Sequence, residues 1–305
     1  MTTETRGTCY GFDITSDLPL SFLRTSTGTG TSMTIRTGTA PDDEGALIQE
    51  WQLDRMGKMT TKLFECAPGH YLIRVGVHDS YEVLTDPPGI VVHPGAMTEI
   101  DSESMIWGTP AAVSMAHQGR LPFHAGSVDV DGQGVILAAT GSFGKTTLAG
   151  AFHAAGYRLL ADDMSCAIID PEPAILPGPA VVRARPDVIA GFSFEHTKPV
   201  LTTPVRTHYA LDADSRGNGR PVPLRAIIFL RISDESIVLQ PALSSEAVRD
   251  LFALSFRLPT DQGRADVFQL AAGLVGKVPA WNLHRPLTLA SLPAVIDAII
   301  RTCLD

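Results

Sequence analysis

The chain is short of cysteine: four in 305 residues, scattered as Cys9, Cys66, Cys166 and Cys303. No C-x-x-C spacing occurs, which argues against a zinc site and against a disulfide framework. No apolar run approaches the roughly 18 residues of a membrane-spanning helix. The opening MTTETRGTCYGFDI lacks the apolar stretch of a signal peptide. A cytoplasmic protein with no membrane association is the expectation. Basic residues are also in deficit: 24 Lys and Arg against 33 Asp and Glu give a net charge of −9, without any basic run. Such a chain is poorly suited to wrapping nucleic acid or an anionic membrane.

Hydrophobic residues are not scarce. They make up 44% of the chain, enough to bury a sizeable core, and 305 residues suit roughly two domains. Residues 1 to about 105 read as β-rich, with short apolar runs such as SMTIRTG, YLIRVGV and GIVVH separated by turn clusters such as CAPGH and DPPG. A small sheet or barrel-like domain is expected there. TPAAVSMAHQGR then reads as one short bridging helix, with Thr109 as N-cap, Pro110 in the first turn and Gly119 as the stop. The resulting division is 1–118 and 119–305.

The second part alternates strands and helices. SVDVDGQGVILAA holds two strand-like runs around a D-G turn, and KTTLAGAFHAAG reads as a helix closed by Gly156. YRLLADD is a strand ending in two aspartates, RAIIFLRI a buried strand and AWNLHRP a late strand. SSEAVRDLFALSF, RADVFQLAAGLVGK and SLPAVIDAIIRTCL read as helices, the last capped by Ser291. DADSRGNGRPVP is too polar and too rich in Gly and Pro for a core element and is expected to be a mobile, lid-like loop.

AATGSFGKTT, ending at Thr147, joins the second of the paired strands to its helix. It ends as a phosphate-binding loop should, with Gly144, Lys145 and Thr146. Successive N–H groups and the positive end of the helix dipole hold phosphate oxygens in such a loop. Thr140, Gly141, Ser142, Phe143, Gly144, Lys145, Thr146 and Thr147 are therefore the candidate nucleotide-binding residues. Lys145 would reach the terminal phosphates, and Thr146 would place a hydroxyl on Mg²⁺. Asp162 and Asp163 end the next strand, where a carboxylate for Mg²⁺ belongs beside the loop in a parallel sheet. Ala139 departs from the pattern, which has glycine there. Alanine fits if the backbone at that position has negative φ, and a small-residue turn without a ligand is the alternative.

The stretch FHAGSVDVDGQGVILAATGSFGKTTLAGAFHAAGYRLLADD resembles the HPr kinase/phosphorylase family. There a His and two strands precede the phosphate loop, and an Ala-Asp-Asp strand end follows it. Nearer still is the similarity to HPr-kinase-like peptide kinases of lasso-peptide type biosynthesis. It rests on the opening YGFDITSDLPL, the Pro177-Gly178 turn, RAIIFL and AWNLHRP. The resemblance implies an α/β P-loop kinase core of the HPr kinase/phosphoenolpyruvate carboxykinase type, preceded by a smaller β-rich N-terminal domain. It implies ATP and Mg²⁺, with one aspartate of the pair on the metal and the other as base. Asp162 is assigned to metal and Asp163 to base, with the reverse order open, and His124 is placed near the γ-phosphate. The glutamate-containing signature and arginine-rich loop of the true HPr enzymes are missing, so neither phosphorylase activity nor HPr as substrate is implied.

The resulting expectation is a phosphotransferase acting on a Ser/Thr-type hydroxyl of a peptide or protein, a natural-product precursor peptide among the options. Lys145, Asp163 and His124 are its catalytic residues. A small-molecule hydroxyl kinase, a nucleotidyl transferase, or a nucleotide-binding regulatory protein without catalysis stay open, as does homo-oligomerisation. Arg183, Arg185, Lys198 and Arg206 read as solvated surface charges, the alternative being that they face phosphate or an acidic peptide.

Overall fold

The computed structural model describes residues 4–41, 43–54, 58–76, 79–141, 143–185, 197–203, 206–233 and 236–304. The first part of the chain supplies strands β1 (Thr5–Cys9), β2 (Phe12–Ser16), β3 (Thr31–Thr37), β4 (Ala46–Asp54), β5 (Lys58–Ala67), β6 (His70–Val75), β7 (Ser80–Thr85) and β8 (Pro88–His93). They form one sheet in the order β1-β2-β3-β8-β7-β6-β5-β4. Alternation along the strands sets its inner face: Phe12 and Ile14 on β2, and Met33 and Ile35 on β3, are buried while their neighbours are not.

Two helices follow where one was expected. The first, α1 (Glu99–Ile106), is capped by Thr98, whose side chain accepts from the Asp101 N–H. The second, α2 (Thr109–His117), has Gly108 at its cap and Thr109 already inside the first turn. Gly119 leaves it with φ +67°.

The rest of the chain supplies β9 (Leu121–Phe123), β10 (Ala125–Val130), β11 (Gln133–Ala138), α3 (Lys145–Ala154), β12 (Arg158–Ala161), β13 (Ser165–Ile168) and β14 (Ala174–Leu176). Next come β15 (Val181–Ala184), β16 (Thr197–Thr202), β17 (Thr207–Leu211), α4 (Ala213–Arg216) and β18 (Val222–Ile232). Last are β19 (Val238–Pro241), α5 (Ser244–Leu254), α6 (Asp261–Lys277), β20 (Ala280–Arg285) and α7 (Leu292–Cys303). The main sheet has the order β12-β10-β11-β18-β14-β13-β9, with β20 also on β18 and β19 on β20. β11, β18 and β20 run parallel, and both faces of this centre are covered. Val135 and Leu137 face Leu148 and Phe152 of α3 and Val295 and Ile299 of α7. Ile136 and Ala138 face Leu251 of α5 and Leu274 of α6.

The sheet is mixed rather than parallel around the loop. β10 lies between β11 and β12, antiparallel to both, so the strand ending in Asp162 and Asp163 is not the immediate neighbour of the loop strand. The D-G hairpin turn at Asp131-Gly132, with φ of +53° and +87°, produces this by folding β10 straight back on β11.

The two parts of the chain share a core. Tyr10, Phe12 and Met33 pack in one cluster with Cys166, Leu176, Val181 and Ala210. Within this seam Arg24, 1% exposed, donates to the carbonyls of Gly178, Leu159, Leu160 and Arg216. The segment expected to be a lid is part of the same seam. Asp212 caps α4 by accepting from Ser215 N–H, Arg216 donates to the Leu23 carbonyl, and Thr25 bridges Asn218. Its polar groups are spent on turns and on N-terminal backbone, which is why composition alone resembled a free loop. Among the described residues no helix is long and apolar enough to cross a membrane.

Candidate functional site

The phosphate loop begins where β11 ends. Ala139 is 2% exposed and belongs to the core beneath α3. Among the described residues only Tyr10, Asp131 and Asp163 combine a side chain with positive φ, so Ala139 sits where its methyl costs nothing. The glycine demanded by geometry is Gly144, at φ +76°, where a Cβ would stand 2.7 Å from Arg285 Nη2. Gly141 is bordered by open space. Helix α3 has no side-chain cap, leaving its first N–H groups available to an anion.

Lys145 is 7% exposed and folds back onto the loop, donating to the Ala139 carbonyl at 2.7 Å and the Thr140 carbonyl at 3.2 Å. Burial lowers its pKa from the ordinary lysine value, and Arg206 adds to that shift while Asp163 and Asp162 oppose it. Thr146 donates to Asp162 Oδ1 at 2.9 Å. Asp162 is 1% exposed and also accepts from the Arg183 backbone N–H at 2.8 Å. Burial, then the charge of Asp163, pushes its carboxyl above the ordinary carboxylate value; the Arg183 charge, the Arg183 N–H and the Thr146 hydroxyl act the other way.

Asp163 turns away from its neighbour because its backbone is left-handed, φ +74°. Asp tolerates that region better than most residues, and such local strain gathers at functional positions. Its carboxylate lies 3.4 Å from His124 Nδ1 and 3.6 Å from Arg183 Nη1, and its carbonyl lies 2.8 Å from the same His124 nitrogen. His124 is fixed from behind, its N–H donating to the Leu254 carbonyl.

These groups surround one cavity of about 310 Å³, lined by His124, Gly141, Gly144, Lys145, Thr146, Thr147 and Asp163 among others. Asp162 stands behind the wall and reaches it through Thr146. Thr140 contributes its carbonyl to Lys145. Phe143 packs its ring against the α3 and α7 core, so only its backbone faces the loop chemistry. Ser142 lies outside the described residues. The cavity also takes in Arg183, Arg185 and Arg206, read from sequence as surface charges, whereas Lys198 does not line it.

Arg285 was missed by sequence reasoning. It is 2% exposed, and its Nη2 donates to the carbonyls of Phe143 at 3.1 Å and Gly144 at 3.2 Å, holding the left-handed turn of the loop. The signal was its place at the carboxyl end of a parallel strand, the edge of an α/β sheet where ligands bind. Leu287 and Leu289, exposed by 48% and 38%, follow it along the cavity wall.

No protein-family model and no curated protein sequence matches the chain. Among solved structures it is similar to the Hpr(Ser) kinase/phosphatase from Coxiella burnetii, at 12% identity and a TM-score of 0.31, over 59% of this chain and 93% of that one.

Proposed function

We propose that the protein is an ATP- and Mg²⁺-dependent kinase that transfers the γ-phosphoryl group to a Ser/Thr-type hydroxyl of a peptide or protein. One observation carries this reading: Lys145, the Thr146–Asp162 pair and the Asp163–His124 pair converge on one cavity at an uncapped helix N-terminus.

The residues fit the cofactor. Thr146 and Asp162 offer a hydroxyl and a carboxylate, both hard oxygen donors. Among the described residues no group of three or more His, Cys, Asp or Glu side chains could hold a metal ion unaided. Mg²⁺ is suited to such a place, since it takes one or two carboxylates and completes its shell with phosphate oxygens and water. Leu287 and Leu289 give the cavity an apolar flank for a nucleoside base. When bound, Mg²⁺-ATP supplies the phosphoryl group and the neutralisation of its oxygens.

The chain's own residues do the rest. Lys145 exchanges its loop carbonyls for phosphate oxygens. Asp163 would accept the acceptor hydroxyl's proton as its oxygen bonds to the γ-phosphorus and the bond from that phosphorus to the bridging oxygen breaks, with ADP as leaving group, and His124 holds that carboxylate in place. The division of the aspartates, Asp162 toward metal and Asp163 toward base, is supported by burial of the first against Thr146 and the turn of the second into the cavity. Residues 119–305 are assigned to catalysis, and 1–118 to supporting the site and helping to bind the acceptor or a partner.

Calorimetric titration with ATP and Mg²⁺, repeated with Lys145→Ala, tests the reading. Binding in the micromolar to millimolar range, lost in the variant, supports it and leads to transfer assays with labelled ATP. Absence of binding by the wild type overturns it.

A further inference from the structure

Tyr10 and Gly11 form the two-residue turn of the β1–β2 hairpin. Their φ angles are +52° and +74°. Hairpin turns of this kind favour Asn, Asp or Gly, because both central residues need positive φ. A bulky side chain held there marks a position that its surroundings dictate. Among the described residues only three with side chains have positive φ. Asp131 turns the β10–β11 hairpin. The other two, Tyr10 and Asp163, come from different parts of the chain and are joined through one residue, Met164.

Tyr10 Oη donates to the Met164 carbonyl at 2.9 Å. The Met164 N–H donates to the Asp162 carbonyl at 3.0 Å, closing the turn in which Asp163 lies. Both backbone polar groups of the residue after Asp163 are therefore tied, one to β12 and one to the N-terminal sheet. The phenol has little freedom. Tyr10 is 1% exposed, its N–H donates to the Pro177 carbonyl at 2.7 Å, and its own carbonyl accepts from Arg120 Nη1 at 2.7 Å. The ring crosses Gly178, where a Cβ would stand 2.6 Å from Cε1 and 2.8 Å from Cζ. The φ of Gly178 is not positive, so glycine serves there to let the ring pass rather than to make a turn. Burial is the largest cause holding the phenol well above the ordinary tyrosine value, so it stays a donor at neutral pH. Packing needs only the ring; among the described residues the hydroxyl has Met164 as its one hydrogen-bond partner.

We infer that Tyr10 is a positioning residue for phosphoryl transfer: through Met164 it holds the left-handed backbone that turns the Asp163 carboxylate into the cavity. This rests on the kinase reading, and it makes the N-terminal sheet set the direction of the base.

Tyr10→Phe keeps the ring and removes the hydroxyl. Tyr81→Phe is the control: it removes a fully buried phenol from the same sheet, where Oη lies 3.3 Å from Ser102 Oγ on α1. Two quantities are measured on the full chain of wild type and both variants, after a thermal melt. The first is amide exchange at Met164 by NMR, which reads the turn whether or not the protein is a kinase. The second is hydrolysis of Mg²⁺-ATP with water as acceptor. There Asp163 takes a proton from the water as its oxygen bonds to the γ-phosphorus and ADP leaves. In Tyr10→Phe, exchange at Met164 is expected to quicken about tenfold, the scale of one hydrogen bond. The kcat is expected to fall about tenfold or more, because slight misplacement of a catalytic group is costly. KM and calorimetric affinity for ATP should stay within about threefold, since the phosphate loop is untouched. Tyr81→Phe should move none of these. Unchanged Met164 exchange or unchanged kcat in Tyr10→Phe overturns the inference. So does a fall in kcat matched by lost ATP affinity, or by the same fall in Tyr81→Phe, since either would mean general loosening. Wild type that neither binds nor hydrolyses ATP sinks the kinase reading, and Met164 exchange then decides by itself whether Tyr10 holds the Asp163 turn.

Discussion

Thr146 donates its hydroxyl to Asp162 Oδ1 at 2.9 Å, joining the first turn of α3 to the end of β12 although β10 runs between their strands. The same carboxylate is held by the Arg183 N–H, so its direction is fixed from two sides. Thr146→Val keeps the shape and removes the hydroxyl. The Mg²⁺-dependent part of ATP affinity is expected to fall about tenfold or more, a usual loss when a metal site is disturbed. Affinity for nucleotide without Mg²⁺ should change little. Calorimetry with and without the metal decides, and an equal loss in both would remove Thr146 from the metal site.

Asp163→Asn separates binding from transfer. Asn is as tolerant of the left-handed backbone at this position as Asp, so the turn should persist. Nucleotide affinity should stay within a few-fold of wild type, since Lys145 and the loop amides are untouched. Phosphoryl transfer should fall by about 10² to 10⁴, the range of a positioned general base. Near wild-type turnover would move the base to another group.

Ala139→Gly restores the common glycine of phosphate loops, yet no gain in ATP affinity is expected. The backbone at Ala139 already avoids positive φ, and its methyl is buried in the α3 core. Glycine would add chain entropy to the unfolded state and lose packing, about 0.5–1 kcal/mol in stability. A melt alongside a nucleotide titration checks both halves of this expectation. Tighter binding would mean that the loop must reach a different conformation around phosphate.

What could be read in the sequence was whatever is encoded locally. The D-G hairpin, the small-residue loop and the Ala-Asp-Asp strand end each lie within a few residues, and each appears where periodicity and turn chemistry place it. The order of strands was not legible in the same way. A hairpin turn says that β10 returns along β11, but only the packing of the finished sheet puts β12 on its far side. Arg183 and Arg185 come from one segment and Arg206 from another, and they are gathered on one cavity only by the fold, so each alone resembles an ordinary surface charge. Arg285 is nearly invisible for the same reason, since its partners Phe143 and Gly144 are carbonyls far away in sequence. The polar segment from Asp212 misled because its donors and acceptors are satisfied by its own turns and by backbone at Leu23 and Thr25, which composition does not record.

Glu103 gives a pH test of how the N-terminal part is held together. It is 2% exposed on α1, accepting from the N–H groups of Ser21 and Phe22, both at 2.7 Å, and from Trp107 Nε1 at 3.3 Å. Burial nevertheless raises its pKa above the ordinary 4.5, outweighing these three donors and the nearby Arg216 charge. The folded protein therefore holds this proton more tightly than the unfolded chain. The stability that follows is fully present below the unfolded value and is lost as pH rises through the folded one. Glu103→Gln removes the titration and turns an amide NH₂ toward one of the two backbone donors, at a cost of about 1–3 kcal/mol. The unfolding free energy of wild type relative to Glu103→Gln should thus increase as pH falls from 7 toward the ordinary carboxylate range. Urea unfolding of both proteins across that window measures it. A difference that stays flat with pH would show that Glu103 titrates in the fold as it does in the unfolded chain.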